Sequence, residues 1–480
     1  MAASYIRSEM LPALPPPARD SGAVKWLREN LLSSWLNVGL TAAAVAFIGV
    51  IAWNLLPWFL NSVWNAGSLA ECREIVAASA GPDASGACWA FLRPWWGAYI
   101  FGHQYPVDGR WRPILAFGLL FAALAPVLFA GQKRNLAIIL GIVAAFLLLT
   151  LYLASAPGLA FALAMLGVLA LLAVSQVQPS KLLWFTLAYP PLCFWLLWGG
   201  SIWVPIVAMA GFGLLFLVFR FAAPAIGTVP AVGAGIVAAF LWWIFAEAPV
   251  VSALHGAVPV ALEWVPSDEF GGFLLAIVIG VTGIAFSLPL GILLALGRQS
   301  DMPIIKTLCV VFIETIRGVP LITLLFVAAF VLGFFLPPGL DFDDLVRVFI
   351  LVTLFAAAYL AEVLRGSLAA LPRGQYEAAD ALGLDYWQAQ RLIILPQALK
   401  ISIPAIVSSF IGLFKDTTLV AIIALYEPLK GITHLVRQDV NWKGIYWEPY
   451  IFVGTIFFVF CFGMSRYAKY LEGKLKTDHR

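Results

Sequence analysis

Long apolar runs, separated by short polar stretches, follow one another from about residue 34 to residue 466. Most runs are about 20 residues long, so a helix rising 1.5 Å per residue crosses a hydrocarbon core of about 30 Å. The pattern predicts an all-α polytopic membrane protein with about 12 transmembrane helices. In chain order the predicted spans are 34–60, 113–131, 136–155, 158–177, 182–199, 202–220, 229–247, 271–296, 319–336, 347–364, 401–424 and 449–466.

Two stretches depart from this simple pattern. Pro190 and Pro191 lie inside the predicted span 182–199, where proline removes a helical hydrogen bond and clashes with the preceding turn. We therefore expect that span to be broken or bent. Residues 299–318 are amphipathic, and we expect a surface or partly embedded helix that leads into the ninth span.

Composition supports the bilayer as the main solvent of the chain. Of its 480 residues, 62% are hydrophobic and 11% are charged, whereas soluble domains carry about 25% charged residues. The net charge of +3 says little about partners, because membrane proteins distribute positive charge by side. We expect the lipid bilayer, and no nucleic acid, as a partner.

The distribution of basic residues predicts the orientation. Lys25 and Arg28 precede the first span, and the polar segment 366–400 together with the preceding Arg365 carries four more basic residues. An even number of spans places both termini and this segment in the cytoplasm, as the positive-inside tendency favours. Arg110 and Arg112, on the opposite side, argue against this orientation.

The five cysteines fall into two groups. Cys72 and Cys88 share the polar loop 61–112, and a disulfide between them is expected if that loop is periplasmic. Cys193, Cys309 and Cys461 lie in or beside apolar spans, where we expect small packing residues. No histidine and cysteine cluster has metal-ligand spacing, so no metal site is predicted.

The segment 366–400 is the longest polar interruption in the C-terminal half, and it predicts two short helices. Gly383 is suited to end the first helix in the left-handed conformation. Asp385 followed by Gln388 has the spacing of a capping box for the second helix. Pro396 is expected to disrupt that second helix where it enters the next span.

The first of these helices has a surface suited to docking. The small side chains of Ala378 and Ala379 would let another protein approach closely, and Glu377 adds a charge beside them. We interpret the segment as a knob that fits a groove on a soluble partner. The alternative is an ordinary cytoplasmic loop.

Seven residues match the pattern E-A-A-x3-G-x9-I-x-L-P: Glu377, Ala378, Ala379, Gly383, Ile393, Leu395 and Pro396. This region resembles the signature loop of permease subunits of bacterial ABC importers. The flanking sequences Arg317–Leu321, Tyr359–Gly366 and Phe414–Leu419 are similar to those of polar amino-acid permeases. The N-terminal extension and residues 307–326 resemble the general L-amino-acid permease type. The resemblance is strongest over about 270–470.

The resemblance implies an ATP-driven permease for L-amino acids in the bacterial inner membrane, with a MetI-like type I core of five helices. It implies three partners: a cytoplasmic ATPase dimer that holds ATP and magnesium, a second homologous permease that completes a heterodimer, and a periplasmic amino-acid-binding protein. The residues expected to couple the chain to the ATPase are Glu377, Ala378, Ala379, Leu382, Gly383 and Pro396.

We predict three regions. Residues 1–33 form a cytoplasmic N-terminal tail, and 34–265 form an accessory segment of about seven spans that includes the periplasmic loop 61–112. Residues 266–480 form the permease core, which includes the coupling segment 366–400.

Ionisable residues inside spans are costly and often functional. Candidates for the substrate path or gate are Arg317, Glu362, Lys415, Asp416, Thr417 and Thr418. Arg317 is suited to an amino acid's carboxylate and Asp416 to its ammonium group. In the alternative interpretation, Glu314 pairs with Arg317 and Glu362 pairs with Arg365, because residues three apart share a helix face.

The chain lacks the G-x4-G-K-[ST] phosphate loop, since Lys474 is followed by Leu475. No arrangement of residues indicates covalent catalysis. We therefore expect a transport subunit with no catalytic residue and no cofactor of its own. The alternative function is an ion-coupled secondary amino-acid transporter, for which we would expect inverted repeats.

Overall fold

The computed structural model describes residues 22–129, 132–154, 156–331, 334 and 343–475. The first 21 residues of the predicted tail lie outside this part of the chain, as do the last five of the predicted core. Contacts between residues divide the chain into two compact units.

The first unit contains residues 22–93 and 439–448. Its helices are α1 (Gly22–Asn30), α2 (Trp35–Leu60) and α3 (Leu69–Ala80). At the start of α2 the Ser34 hydroxyl accepts a hydrogen bond from the Asn37 amide, which satisfies a free N–H of the first turn. No residue of α2 is buried, and its apolar sequence suits a helix surrounded by lipid.

In the same unit, a disulfide joins Cys72 on α3 to Cys88. The Cys88 backbone N–H also donates to the carboxylate of Glu448 at 2.7 Å, and all three residues are buried. Disulfides persist in oxidising compartments, so this bond fits the predicted periplasmic side of the loop 61–112. The three cysteines of the second unit are free and half-buried: Cys193, Cys309 and Cys461.

The second unit contains residues 94–438 and 449–475, and it is almost entirely helical. Its helices, of which the first and last begin in the other unit, are α4 (Leu92–Phe101), α5 (Trp111–Leu128), α6 (Lys133–Leu153), α7 (Gly158–Val177), α8 (Leu182–Trp198), α9 (Trp203–Ile226), α10 (Thr228–Leu241), α11 (Glu247–Ala257), α12 (Gly272–Gln299), α13 (Pro303–Gly318), α14 (Leu321–Phe326), α15 (Asp344–Ala369), α16 (Arg373–Ala381), α17 (Tyr386–Ala389), α18 (Leu395–Asp416), α19 (Pro428–Gln438) and α20 (Trp447–Leu475). A two-stranded antiparallel ribbon pairs β1 (Gly200–Ser201) with β2 (Ala261–Leu262).

The described part of the chain has ten helices that are long and apolar enough to cross a membrane. The pair α13 and α14, bent by 100°, makes an eleventh if it is one span. The predicted span 182–199 is α8, whose 17 residues are about 26 Å long, slightly short of the hydrocarbon core. The predicted break at Pro190 and Pro191 is absent, since α8 continues through both residues. Thr186 and Tyr189, in the first half of α8, donate hydrogen bonds to backbone carbonyls of α5.

Small residues on α12 let α15 and α18 approach closely. Gly280, Gly283, Ser287 and Gly291 recur every three or four residues and are all buried. A Cβ atom at Gly291 would lie 2.8 Å from the Cβ of Leu360, so only glycine fits there. Close van der Waals packing drives helix association in lipid, where the hydrophobic effect between helices is lost. The pair α12 and α15 is therefore the structural centre of the second unit.

Two arginines that conflicted with the predicted orientation have roles within the fold. The Arg112 guanidinium is buried and donates to the Glu263 carbonyl at 2.6 Å. The Arg110 guanidinium lies over the ring of Phe101, 5.7 Å from its centre. These charges are fixed by local partners, so they carry little information about which side of the membrane they face.

Candidate functional site

The predicted coupling segment folds as two helices around a glycine turn. α16 ends at Ala381, and Gly383 adopts the left-handed conformation with φ +67°. The Gly383 N–H donates to the carbonyl of Asp380 at 2.9 Å, and the Leu384 N–H donates to that of Ala379 at 3.3 Å. This pair of bonds is the Schellman arrangement, which satisfies the last carbonyls of a helix. The predicted helix end at Gly383 is confirmed.

The capping box at the start of the second helix is also confirmed. The Gln388 N–H donates to the Asp385 carboxylate at 2.8 Å, and the Asp385 N–H donates to the Gln388 side chain at 3.2 Å. The prediction that Pro396 disrupts this helix is wrong, because the helix continues through the proline. Residues Gln390–Ile394 widen into one π-helical turn, and α18 then continues from Leu395 through the proline. Because a π turn lengthens the local hydrogen-bonding pattern, it accommodates the missing proline N–H without ending the helix.

Three features attach α16 to the rest of the core. Ala379 is buried, and Tyr376 packs on the apolar cluster formed by α12, α15 and α18. The Gln397 amide on α18 donates to the Gln375 side chain at 2.8 Å. A displacement of α16 is therefore transmitted to the start of α18 through one buried side chain, one aromatic ring and one hydrogen bond.

The outward surface of α16 differs from the prediction in one residue. Glu377 and Ala378 are exposed as expected, but Ala379 is buried, because helical spacing turns it away from the exposed face. Leu382 has 72% of its surface exposed, and Trp387 on α17 is also exposed. Exposed large apolar side chains beside a charge are typical of a surface that another protein covers.

Glu362 on α15 is the centre of a charge network between α12, α13 and α15. Its carboxylate accepts hydrogen bonds from Arg365 at 2.6 Å and 3.0 Å. It also pairs with Arg298 at 3.4 Å and with Arg317 at 3.5 Å. The predicted pair of Glu362 and Arg365 is confirmed. Three cations share one carboxylate here, so the network is held together by residues from three helices.

The predicted pair of Glu314 and Arg317 is absent. Glu314 instead accepts a hydrogen bond from Arg298 on α12 at 2.8 Å. Arg317 lies 5.6 Å from the ring centre of Tyr359, and its Nε has no hydrogen-bond partner within the described chain. The three-residue spacing allowed the predicted pair, but α12 brings a closer partner. Arg317 is therefore the most weakly satisfied cation of the network.

The predicted group at the end of α18 lies where the helix changes form. The α-helix ends at Asp416, and Thr417–Ile423 continue as a 3-10 helix. The Thr417 hydroxyl donates to the Phe414 carbonyl at 2.8 Å, and the Thr418 hydroxyl donates to that of Lys415 at 2.9 Å. Neither Lys415 nor Asp416 forms an ion pair within the described residues.

The structure does not bring Arg317 and Asp416 together. Leu413, one turn before Asp416, lies level with Val352, since both contact the same glycine of α12. Glu362, the partner of Arg317, follows Val352 by ten residues of α15, which is about 15 Å along the helix axis. The structure shows no contact between these two residues, and their shared role around one zwitterion stays a prediction.

Comparison with known proteins identifies the family. Residues 287–477 match the family described as "Binding-protein-dependent transport system inner membrane component". The chain is 56% identical over 477 residues to the glutamate/glutamine/aspartate/asparagine transport system permease protein BztC of Rhodobacter capsulatus, covering 99% of each chain. The chain belongs to the amino-acid ABC transporter permeases.

Two further relatives were compared with this ABC transporter permease. It is 34% identical to the inner membrane amino-acid ABC transporter permease protein YhdY of Escherichia coli, covering 97% of this chain and 96% of the relative. It also matches a crystal structure of an amino acid ABC transporter with histidines at 28% identity and a TM-score of 0.37, covering 42% of this chain and 91% of that one.

The family assignment confirms the predicted fold class, and with it the predicted function of a transport component in the amino-acid ABC class. The permease is a multi-pass inner-membrane protein rather than an enzyme. No comparison supports the ion-coupled alternative. The matched family region 287–477 lies inside the predicted core 266–480, and the boundary near residue 265 stays a prediction.

One buried charged residue of this permease was not predicted from the sequence. Glu427 is fully buried before α19, and its carboxylate accepts hydrogen bonds from the backbone N–H groups of Leu429 at 2.7 Å and Lys430 at 2.6 Å. Burial raises the pKa of Glu427 to about 7, against the opposing effect of these bonds and of the Lys430 charge. The sequence contains one signal for this helix start: Glu427 stands directly before Pro428, and proline is favoured at the first position of a helix.

Basic and aromatic groups surround this carboxylate at the end of α18 away from the coupling segment. The Lys430 ammonium donates to the Ala421 carbonyl at 3.1 Å and lies 5.2 Å from the ring centre of Tyr426. His434 contacts both Tyr426 and His103, with ring centres 4.8 Å and 5.3 Å apart. Burial lowers the pKa of His434, and the neighbouring His103 and Lys430 lower it further.

Proposed function

We propose that this permease imports polar L-amino acids, with glutamate, glutamine, aspartate and asparagine as its substrates. The observation that carries the proposal is the 56% identity to a permease named for these four amino acids, over 99% of both chains. Identity of this extent includes the accessory segment as well as the core, so the whole chain shares the relative's design.

We further propose that a separate cytoplasmic ATPase dimer, which binds ATP and magnesium, drives transport by contacting α16. The support is structural. Glu377, Ala378 and Leu382 form an exposed charged and apolar surface, while Ala379 and the hydrogen bond from Gln397 attach the same helix to the core. Movement of a bound ATPase would therefore reach α18 directly.

The remaining partners follow from the importer class. A second homologous permease would complete a heterodimer, and a periplasmic binding protein would deliver the amino acid. The proposed orientation places both termini and α16 in the cytoplasm, with the disulfide-bonded loop in the periplasm. The oxidising environment that a disulfide needs supports this orientation.

The two groups of charged residues have separate roles in this proposal. The network around Glu362 lies at the end of α12 nearest the coupling segment, and we assign it to the inner gate. Lys415, Asp416, Thr417 and Thr418 lie where α18 becomes a 3-10 helix, and we assign them to the substrate path. A change between inward and outward access would separate α12, α13 and α15 at the Glu362 network.

The test is uptake of radiolabelled glutamate in a strain that lacks its own glutamate importers and expresses the complete transporter. We expect uptake to stop when ATP is depleted at a maintained ion gradient, and excess glutamine, aspartate or asparagine to compete. Glu377→Arg should abolish uptake, whereas Glu74→Arg, on an exposed face of α3, should leave it unchanged. Uptake that survives ATP depletion, or survives Glu377→Arg, would overturn the proposal.

A further inference from the structure

A large apolar cavity lies between helices of the accessory segment and helices of the core. Its volume is about 680 Å³. α5 and α8 form one wall and α12 forms the other, with single contributions from α6 and α15 and a few residues from the end of α4 and from α20. The proposed coupling surface and the Glu362 network are elsewhere, so the cavity belongs to neither.

Three polar side chains of the wall have hydrogen-bond partners, and the wall also contains the Thr282 hydroxyl. The Tyr189 hydroxyl donates to the Ala116 carbonyl at 2.8 Å, and the Thr186 hydroxyl donates to the Ala123 carbonyl at 2.7 Å. Trp198 donates to the Ser267 hydroxyl at 2.9 Å. None of the described residues that line the cavity is charged. An amino acid or another zwitterion would therefore find no partner for its charges, and its desolvation would be uncompensated.

The cavity has the length of one leaflet of the bilayer. Along α12 it extends from Phe273 to Phe286, about 20 Å, and along α5 from Pro113 to Leu124, about 17 Å. Half of a hydrocarbon core of about 30 Å is about 15 Å. The cavity begins at the N-terminal ends of both helices, so it follows one leaflet from its interface to the bilayer midplane.

The cavity opens to the outside of the chain at the Phe286 end. Phe286 has 60% of its surface exposed, and Leu124 and Phe146 at the same end are exposed as well. Protein interiors contain few voids larger than a water molecule, and apolar cavities do not hold water well. A cavity of this volume beside the acyl chains of a membrane is expected to be filled by those chains.

We propose that the cavity binds an acyl chain of a membrane phospholipid from the leaflet at the N-terminal end of α12. The acyl chain lies along α12 and α5 with its methyl end toward Phe286, while the headgroup stays at the interface. The accessory helices therefore pack against the core partly through lipid. This inference does not depend on the substrate or the ATPase partner.

The test uses the full chain reconstituted in vesicles that contain a phosphatidylethanolamine with a diazirine on one acyl chain. After illumination, labelled peptides are mapped by mass spectrometry. We expect labels to concentrate on α5, α8 and α12. Ala285→Trp places a large ring in the mouth of the cavity and should reduce this labelling about tenfold, because displaced methylenes lose their contacts. Ala170→Trp, on an exposed face of α7 away from the cavity, should not.

The map of the unmodified chain decides the proposal even if the Ala285 variant fails to fold. Labels spread evenly over the lipid-facing surfaces of α2, α7 and α9 would overturn it. So would unchanged labelling in a folded Ala285→Trp variant. Native mass spectrometry distinguishes the source of the chain: a retained phospholipid mass supports the proposal, and a retained free fatty acid contradicts it.

Discussion

At the scale of single residues, Glu362 connects more of the core than any other charge of the described chain. It is one carboxylate shared by Arg298, Arg317 and Arg365, which belong to α12, α13 and α15. The carboxylate retains partial access to solvent, so each ion pair is weaker than a fully buried one. Their combined effect is to hold three helix ends together.

Replacing this carboxylate should loosen the network. Glu362→Gln removes the charge that balances three arginines. We expect the free energy of unfolding to fall by about 1–2 kcal/mol, because hydrogen bonds to charged groups contribute more than those between neutral groups. Thermal unfolding of the purified protein in detergent measures this loss. Glu29→Gln, which breaks the exposed pair with Lys25, is the control and should have no effect. Equal Tm values for both variants would show that the network contributes nothing.

Glu427 predicts a dependence of stability on pH. Its pKa is raised from an ordinary 4.5 to about 7, so between these values the unfolded chain has released a proton that the folded chain still holds. The contribution of this residue to stability is therefore present below about pH 4.5 and falls as the pH rises to about 7. We expect the Tm of the wild type to decrease across this window.

Glu427→Gln provides the comparison, because an amide does not titrate. Its Tm should change less than that of the wild type between about pH 5 and pH 7. Parallel pH profiles for the two proteins would mean that Glu427 does not titrate in this range. The side chain would then be a capping group for α19 and nothing more.

At the scale of elements, the coupling segment combines an exposed surface with a fixed geometry. The left-handed Gly383 lets the chain turn from α16 into α17, and the capping box at Asp385 fixes where α17 begins. The π turn before Pro396 joins α17 to α18 without a break. The direction of α16 therefore depends on one glycine and on its attachment to α18.

Gly383 offers a test of that geometry. A β-branched residue in the left-handed conformation is strained, whereas asparagine is tolerated there. Gly383→Val should cost about 1–2 kcal/mol in the turn, move α16 and reduce uptake per molecule of transporter. Gly383→Asn should retain most of the uptake. The measurement is initial glutamate uptake normalised to the amount of transporter in the membrane, and equal rates for the two variants would contradict the account.

The sequence predicted these local features well because each depends on residues within one or two turns. The helix end at Gly383 and the capping box at Asp385 are of this kind. Arg298 contacts Glu362, which follows it by 64 residues, and no local pattern could indicate that pair. The same limit explains why the partner of Glu314 was predicted wrongly. The spacing indicated the nearby Arg317, whereas Glu314 pairs with Arg298, 16 residues away.

At the scale of the whole molecule, the accessory segment and the core share extensive packing within the second unit. α5 and α8 precede the predicted boundary near residue 265, and α12 follows it, yet all three surround one cavity. The apolar runs predicted the helices, because length and hydropathy are local properties. They could not predict which helices meet, since lipid-facing and protein-facing surfaces are equally apolar in a membrane.

We propose that this permease works as a subunit coupled to an ATPase through α16. The most direct measurement is purification of the tagged chain from mild detergent, with quantification of every protein that accompanies it. The account predicts a stoichiometric ATPase and a second permease with the wild type, and loss of the ATPase alone with Glu377→Arg. A wild-type chain that purifies without an ATPase, or a Glu377→Arg variant that keeps it, would contradict the account.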